Sequence, residues 1–447
     1  IAYLTPPKKQ TRDKKQKLEL ALDRIELNNN KFRMVNNNYT YPRAGVNFAD
    51  LEVTEISGVL DNIKLDSILS ADISRLTLKE KSGFYLKELT AKASYTDKQM
   101  KFEDLLIRTN NSTIGDYVIF EYDEFNDFSS FLTKVNVKAN LKDAYVDSKD
   151  IEFFAPTMRT VQFTTSIKNA DLSGTVSDIV ARNVELSTGK KTSLTGNFTI
   201  KGLPNINRTV FGFAIKELKT SGQDIEYFVP KLANGKKIQL PTQIHNLKDL
   251  NYTGSFLGLY NDFDVKGNLK TAAGSLQPNA HITIKNLVSY NGKIAALNFK
   301  IGDVLNQKNI GTSSFDLKLN GRGLDLKDLD LKFEGSLTKS TIYKYSYDQT
   351  QVEGTFQNKI LSMKGLVDDK NLQLTYNSAI DWATKDVNYT LDAVVSHASP
   401  NKLGWLDKDS VVIHQANINT NLIGNNLNNL VGKLQADSVR FTTSKGL

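Results

Sequence analysis

Apolar and polar residues alternate along this chain from about residue 18 to its end, and a period of two admits β-strands and little else. Phe211, Phe213 and Ile215 alternate in this way, as do Phe315, Leu317 and Leu319, and Leu372, Leu374 and Tyr376. The same spacing recurs at Val135, Val137 and Ala139, at Ile282 and Ile284, at Leu297, Phe299 and Ile301, and at Leu329, Leu331 and Phe333. Successive side chains of a strand point to opposite faces, so each set lines one sheet face and the interleaved Lys, Asp, Asn and Thr line the other. Long helical periodicity is scarce. The short helical candidates lie at a duplicated phrase and around Asn401 to Leu406.

The duplicated phrase is Asp150-Ile151-Glu152-Phe153-Phe154-Ala155-Pro156, which returns as Asp224-Ile225-Glu226-Tyr227-Phe228-Val229-Pro230. A phrase that recurs amid unbroken alternation points to an elongated structure built by duplication. Asn234-Gly235, Asn291-Gly292 and Asn320-Gly321 have the composition of tight turns with positive φ and predict hairpins. Between Leu319 and Leu329 the apolar phase slips to Leu324 and Leu326 and back, with Gly321-Arg322-Gly323 and Lys327-Asp328 at the changes. Turns or bulges that reset the facing side are expected there.

Many strands with one apolar face pose a burial problem. A sandwich buries that face on a second sheet, a barrel on itself and a solenoid on neighbouring repeats. In a fourth solution a long sheet bends lengthwise into a trough and apolar ligands complete the core. Alternation alone leaves all four open.

With 447 residues, 40% of them hydrophobic, the chain can bury a substantial core. The net charge of +8 is dispersed except at the start, where Lys8, Lys9, Arg12, Lys14, Lys15 and Lys17 make residues 1–17 a basic linker. That cluster reads either as a solvated segment or as one drawn to anionic lipid headgroups. Cysteine is absent, which excludes disulfides, thiolate metal sites and cysteine nucleophiles. No apolar run approaches the roughly 20 residues of a membrane-spanning helix; Val210 to Ile215 is typical of the longest. The chain opens at Ile1 with no visible signal peptide, and the expectation is an internal piece of a larger protein whose targeting signal lies upstream.

Motifs that carry chemistry are missing. There is no GxxxxGK[ST] phosphate loop, GxSxG elbow or HExxH. His245, His281, His397 and His414 are scattered, and Asp262 and Asp264 lack the later glutamate of a calcium loop. Asp325, Asp328 and Asp330 read as a solvent-facing edge, and no basic patch interleaves with aromatics. The residues therefore point to no enzyme, no cofactor, no metal and no nucleic acid.

Three stretches, Leu76–Ile114, Leu240–Ser275 and Phe333–Trp382, resemble the β-rich TamB proteins of the AsmA-like superfamily, which are bridge-like bacterial lipid-transfer proteins. Their shared elements are Gly-bounded strands, a Tyr-rich strand leading into x-x-G-x-F, and an Asp-x-x-Leu hairpin. The resemblance implies an all-β fold over residues 18–447: an elongated antiparallel sheet bent lengthwise into a continuous apolar groove, a β-taco or repeating β-groove. It implies phospholipid transport between inner and outer membranes, or alternatively a structural or chaperone-like module assisting outer-membrane β-barrel assembly. It further implies a periplasmic body, an inner-membrane anchor outside this segment, and an outer-membrane β-barrel partner of the BamA/TamA type.

On this reading the groove is lined by Phe198, Ile200, Phe211, Phe213, Ile215, Leu297, Phe299, Ile301, Phe315, Leu317, Leu319, Leu329, Leu331, Phe333, Leu372 and Leu374. Ordinary core packing in a sandwich is the competing account of each. A register error of one residue turns any of them outward.

Overall fold

The computed structural model describes residues 19–35, 45–66, 68–156, 159, 162–232, 245–407, 410–425 and 429–443, without the side chains of 229–232. The basic stretch 1–17 and Asn234-Gly235 lie outside the described residues. The chain is all-β; its described residues form 23 antiparallel strands in one sheet that does not close into a barrel. Two compact units divide it: Ile1–Pro156 with Asp171–Val176, and Thr157–Ala170 with Ser177–Leu447. No described helix is long and apolar enough to cross a membrane.

The first unit holds β1 (Leu20–Val35), β2 (Asp50–Leu65), β3 (Leu69–Glu80), β4 (Tyr85–Tyr95), β5 (Gln99–Arg108) and β6 (Thr113–Glu121). It continues with α1 (Phe131–Lys134), β7 (Asn136–Asp147) and α2 (Ser148–Ile151); the residues of β8 (Thr164–Thr175) are shared between the units. Its strands pair in sequence order, and the register aligns apolar rows such as Ala71–Ala93–Phe102–Val118–Ala139. The short helical segment after β6 brings Phe128 and Phe131 against Phe120, with ring centroids 6.3 and 5.7 Å away.

The second unit holds β9 (Asp178–Thr188), β10 (Thr192–Lys201), β11 (Val210–Ser221), α3 (Gly222–Leu232), β12 (Asp249–Leu259), β13 (Asp262–Thr271), β14 (Gly274–Ile284) and β15 (Val288–Phe299). After α4 (Ile301–Leu305) come β16 (Ile310–Arg322), β17 (Asp330–Ile342), β18 (Tyr345–Gln357) and β19 (Ile360–Asp369). The unit ends with β20 (Leu372–Asp381), β21 (Asn388–Ala398), β22 (Val411–Ile423) and β23 (Val431–Thr443). Each of β9 to β22 pairs antiparallel with the next, so turns alternate between two rims of the sheet.

The first copy of the duplicated phrase begins in α2 and the second lies within α3, and both use the leading aspartate in the same way. Asp150 accepts hydrogen bonds from the Thr109 hydroxyl and, at 2.9 and 2.8 Å, from the Asn111 backbone N–H and side-chain amide. Asp224 accepts from the Lys191 N–H at 2.8 Å and the Thr192 hydroxyl at 2.7 Å. In each copy the carboxylate seizes the hairpin turn between the two strands before the one that leads into the helix. The carboxylates are buried, and burial pushes their pKa up; the hydrogen bonds outweigh that and hold both below the usual carboxylate range.

Two turn expectations are corrected. Asn291-Gly292 lies inside β15 and Asn320-Gly321 inside β16. These glycines serve close packing across strands: a Cβ on Gly292 would fall 2.7 Å from that of Ala280. The phase change after Leu319 is a true break, since Gly323 (φ +79°) ends β16 and Leu324 and Leu326 sit in the following loop.

Candidate functional site

Register, rather than any one side chain, builds the candidate site. On one face of the second unit, cross-strand partners align into apolar rows. One row runs Ile200–Phe211–Gly258–Phe263–Ile282–Tyr290–Gly321–Leu331–Phe356–Leu361–Ile380–Tyr389–Leu422. Beside it runs Phe198–Phe213–Phe256–Val265–Ala280–Gly292–Leu319–Phe333–Gly354–Met363. Four rings of these rows touch in a chain: Phe198–Phe213, Phe213–Phe256 and Phe256–Phe263 have centroids 5.0, 5.5 and 4.4 Å apart.

Most members of both rows are half-buried, while their neighbours in sequence, such as Ala214, Lys318 and Glu334, are exposed. Side chains standing 4.8 Å apart on one face shade one another to that degree without a cover. A second layer would drive central positions such as Phe213, Leu319 and Phe333 to full burial. Phe213, Leu319 and Phe333 remain half-buried.

Two clusters of buried residues seal the face along one rim. Phe299, Phe315, Leu247, Leu250 and Ala273 are buried where Ile225 of α3 and Ile301 and Val304 of α4 pack down. Further along the same rim, Leu403 is 1% exposed in the turn after β21 and closes over Leu372, Val395 and Ala416. Tyr345 donates to Asp369 at 2.6 Å nearby; burial first, then that carboxylate, pushes its phenol up to about 12.

The sixteen anticipated lining residues divide accordingly. Phe198, Ile200, Phe211, Phe213, Ile215, Leu317, Leu319, Leu331, Phe333, Leu372 and Leu374 lie on the apolar face in register. Phe299 and Phe315 share that face but are sealed under α4. Three placements are corrected. Leu297 pairs with Ser275 on the other face and is 73% exposed, because Asn298 (φ +50°) forms a bulge that resets the phase before Phe299. Ile301 belongs to α4, and Leu329 precedes β17 in a loop. Phe256, Phe263, Tyr290, Val352, Phe356 and Met363 were missed; glycine, serine or asparagine between them blunts the alternation that marks the other strands.

The reverse face is polar and carries a hollow of about 1250 Å³, lined by none of the sixteen. A twisted sheet is concave along one diagonal of either face, so a hollow can form opposite the apolar rows. Its walls include cross-strand ion pairs, Lys318–Glu334 at 2.9 Å and Lys364–Glu353 at 3.3 Å. Hydrogen bonding from Lys318 holds the Glu334 carboxyl below its ordinary value. His281 lies 2.8 Å from Asp262 and 3.0 Å from Asp264, an exposed cross-strand cluster. Among the described residues no group of three or more His, Cys, Asp or Glu is arranged to hold a metal ion. The arrangement presents aligned apolar side chains along one face of the second unit. Compared with family models, curated proteins and solved structures, the chain matches none.

Proposed function

We propose that this chain carries phospholipids without enzymatic chemistry, shielding their acyl chains on the apolar face of the second unit. The observation that carries the reading is the pair of apolar rows, continuous over many strands yet half-buried throughout most of their length. Each methylene kept from water is worth about 0.8 kcal/mol, so a typical acyl chain gains on the order of 10 kcal/mol from such a surface. Repeated Leu, Ile and Phe provide it with no deep pocket, and a shallow energy profile suits movement along a row. Together with the resemblance to TamB proteins, this supports transport between inner and outer membranes. The periplasmic location, inner-membrane anchor and outer-membrane β-barrel partner belong to the same proposal.

The alternative reading is a structural or chaperone-like module that escorts barrel proteins by strand addition. Native mass spectrometry of gently purified protein separates the two. Recovery of bound phospholipid is expected; repeated recovery of lipid-free protein from lipid-rich membrane extracts would contradict transport.

A further inference from the structure

Two further rows complete the apolar face of the second unit. Across its middle strands the third runs Ile294–Leu317–Gly335–Val352 and the fourth Leu276–Ala296–Phe315–Leu337. In each of β13 to β22 the row through Tyr290 and Leu331 stands six residues from the fourth, as Phe263 does from Leu269, Gly321 from Phe315 and Leu422 from Ala416. Six residues at about 3.3 Å each make the face about 20 Å wide, and that width holds from strand to strand. The register shifts of β15–β16, β16–β17 and β20–β21 all fall beyond the fourth row. Both buried clusters stand at that side. They take in Phe315, Val395 and Ala416 of the fourth row, and among the described residues no member of the first two rows belongs to either.

We infer that acyl chains lie along the strands, from the row of Tyr290 and Leu331 toward the fourth row, and that the walled side makes the face a ruler of chain length. The inference rests on the acyl-carrying reading of the apolar face. An extended chain advances roughly 1.3 Å per carbon, so a width of about 20 Å holds about 16 carbons. The same width is close to half of the roughly 30 Å hydrocarbon core of a bilayer, the depth that the chains of one leaflet fill. Orientation follows from the wall. Ile301, Val304 and Leu403 pack at the fourth-row side and keep it apolar, so the methyl end belongs there and the hydrated headgroup at the other. A longer chain meets that wall and leaves its extra methylenes in water, which disfavours it by up to about fourfold for each one. Laid this way, a lipid moves broadside in steps of about 4.8 Å and meets the same width at each strand.

The test loads the full chain from vesicles with phosphatidylcholine probes of about 16 carbons per acyl chain. One probe carries a photoreactive diazirine at the terminal carbon, the other beside the ester. After irradiation, peptide mass spectrometry should place adducts of the terminal probe at Leu269, Leu276 and Leu337, and those of the ester-side probe at Tyr290, Leu331 and Leu361. A second loading uses phosphatidylcholines in equal amounts with chains from about 12 to about 22 carbons, and bound lipid is weighed by native mass spectrometry. Chains of about 16 carbons or fewer should be enriched at least about threefold over the longest. Identical or interchanged labelling by the two probes, or loading indifferent to length, overturns this inference while leaving the acyl-carrying reading standing. Absence of both adducts and bound lipid overturns both.

Discussion

Tyr290 and Gly321 face each other across β15 and β16, and the tyrosine ring fills the space that a side chain at 321 would need. A Cβ there would fall 2.9 Å from both Cε2 and the hydroxyl of Tyr290. Phe333 stands likewise over Gly354, where a Cβ would come 2.8 Å from its Cε1. Rings laid on glycine keep the apolar rows low and even. Gly321→Val is expected to destabilise the second unit by about 1–3 kcal/mol through overpacking. Denaturant titration of the two proteins checks it.

The paired aspartates predict acid sensitivity. Asp150 and Asp224 are held below the unfolded carboxylate value of about 3.9. A carboxylate lowered on folding contributes stability that is fully present above its unfolded pKa and is lost as pH falls through its folded pKa. Melting temperature should therefore drop below about pH 4, and Asp150→Asn with Asp224→Asn should flatten the drop. Each substitution should cost about 1–3 kcal/mol at pH 7, since buried donors lose a charged acceptor. A melting temperature that rises on acidification would contradict the latch.

The bulge at Asn298 separates two neighbours of similar hydrophobicity. Phe299, 4% exposed under α4, should cost about 3–5 kcal/mol on replacement by alanine. Leu297→Lys should change stability by less than about 0.5 kcal/mol, because that side chain is 73% exposed. Equal effects in chemical denaturation would mean that the phase does not reset there.

Charge placed on the apolar rows should obstruct lipid more than it harms folding. Phe213→Arg and Leu319→Arg put a guanidinium among half-buried apolar neighbours, and an uncovered face lets its head reach water. Bound phospholipid is expected to fall at least about tenfold in each, with melting temperature within about 5 °C of the parent. Full lipid loading of either folded variant would contradict the placement of its row.

Much of the architecture was legible from alternation. Phe211, Phe213 and Ile215, or Leu317 and Leu319, carry a clean period of two, and the register then stacks them as expected. The helices at Asp150 and Asp224 were legible because a repeated phrase broke that period. What failed has local causes. Asn-Gly at 291–292 and 320–321 has turn composition, yet cross-strand neighbours at Ala280 and Tyr290 demand the glycine. Leu297 was misplaced because one left-handed asparagine shifts the face of everything before it. The asymmetry of the rims was invisible, since it depends on which turns carry Ile225, Ile301, Val304 and Leu403 back over the sheet.

The central claim is tested most directly by photocrosslinking along a single strand in lipid-bearing membranes, with a benzophenone amino acid at each position from 315 to 320. An uncovered acyl-bearing face predicts lipid adducts at Leu317 and Leu319 and none at Asp316, Lys318 and Asn320, with Phe315 silent beneath α4. Adducts without that alternation, or adducts confined to the polar positions, would contradict it.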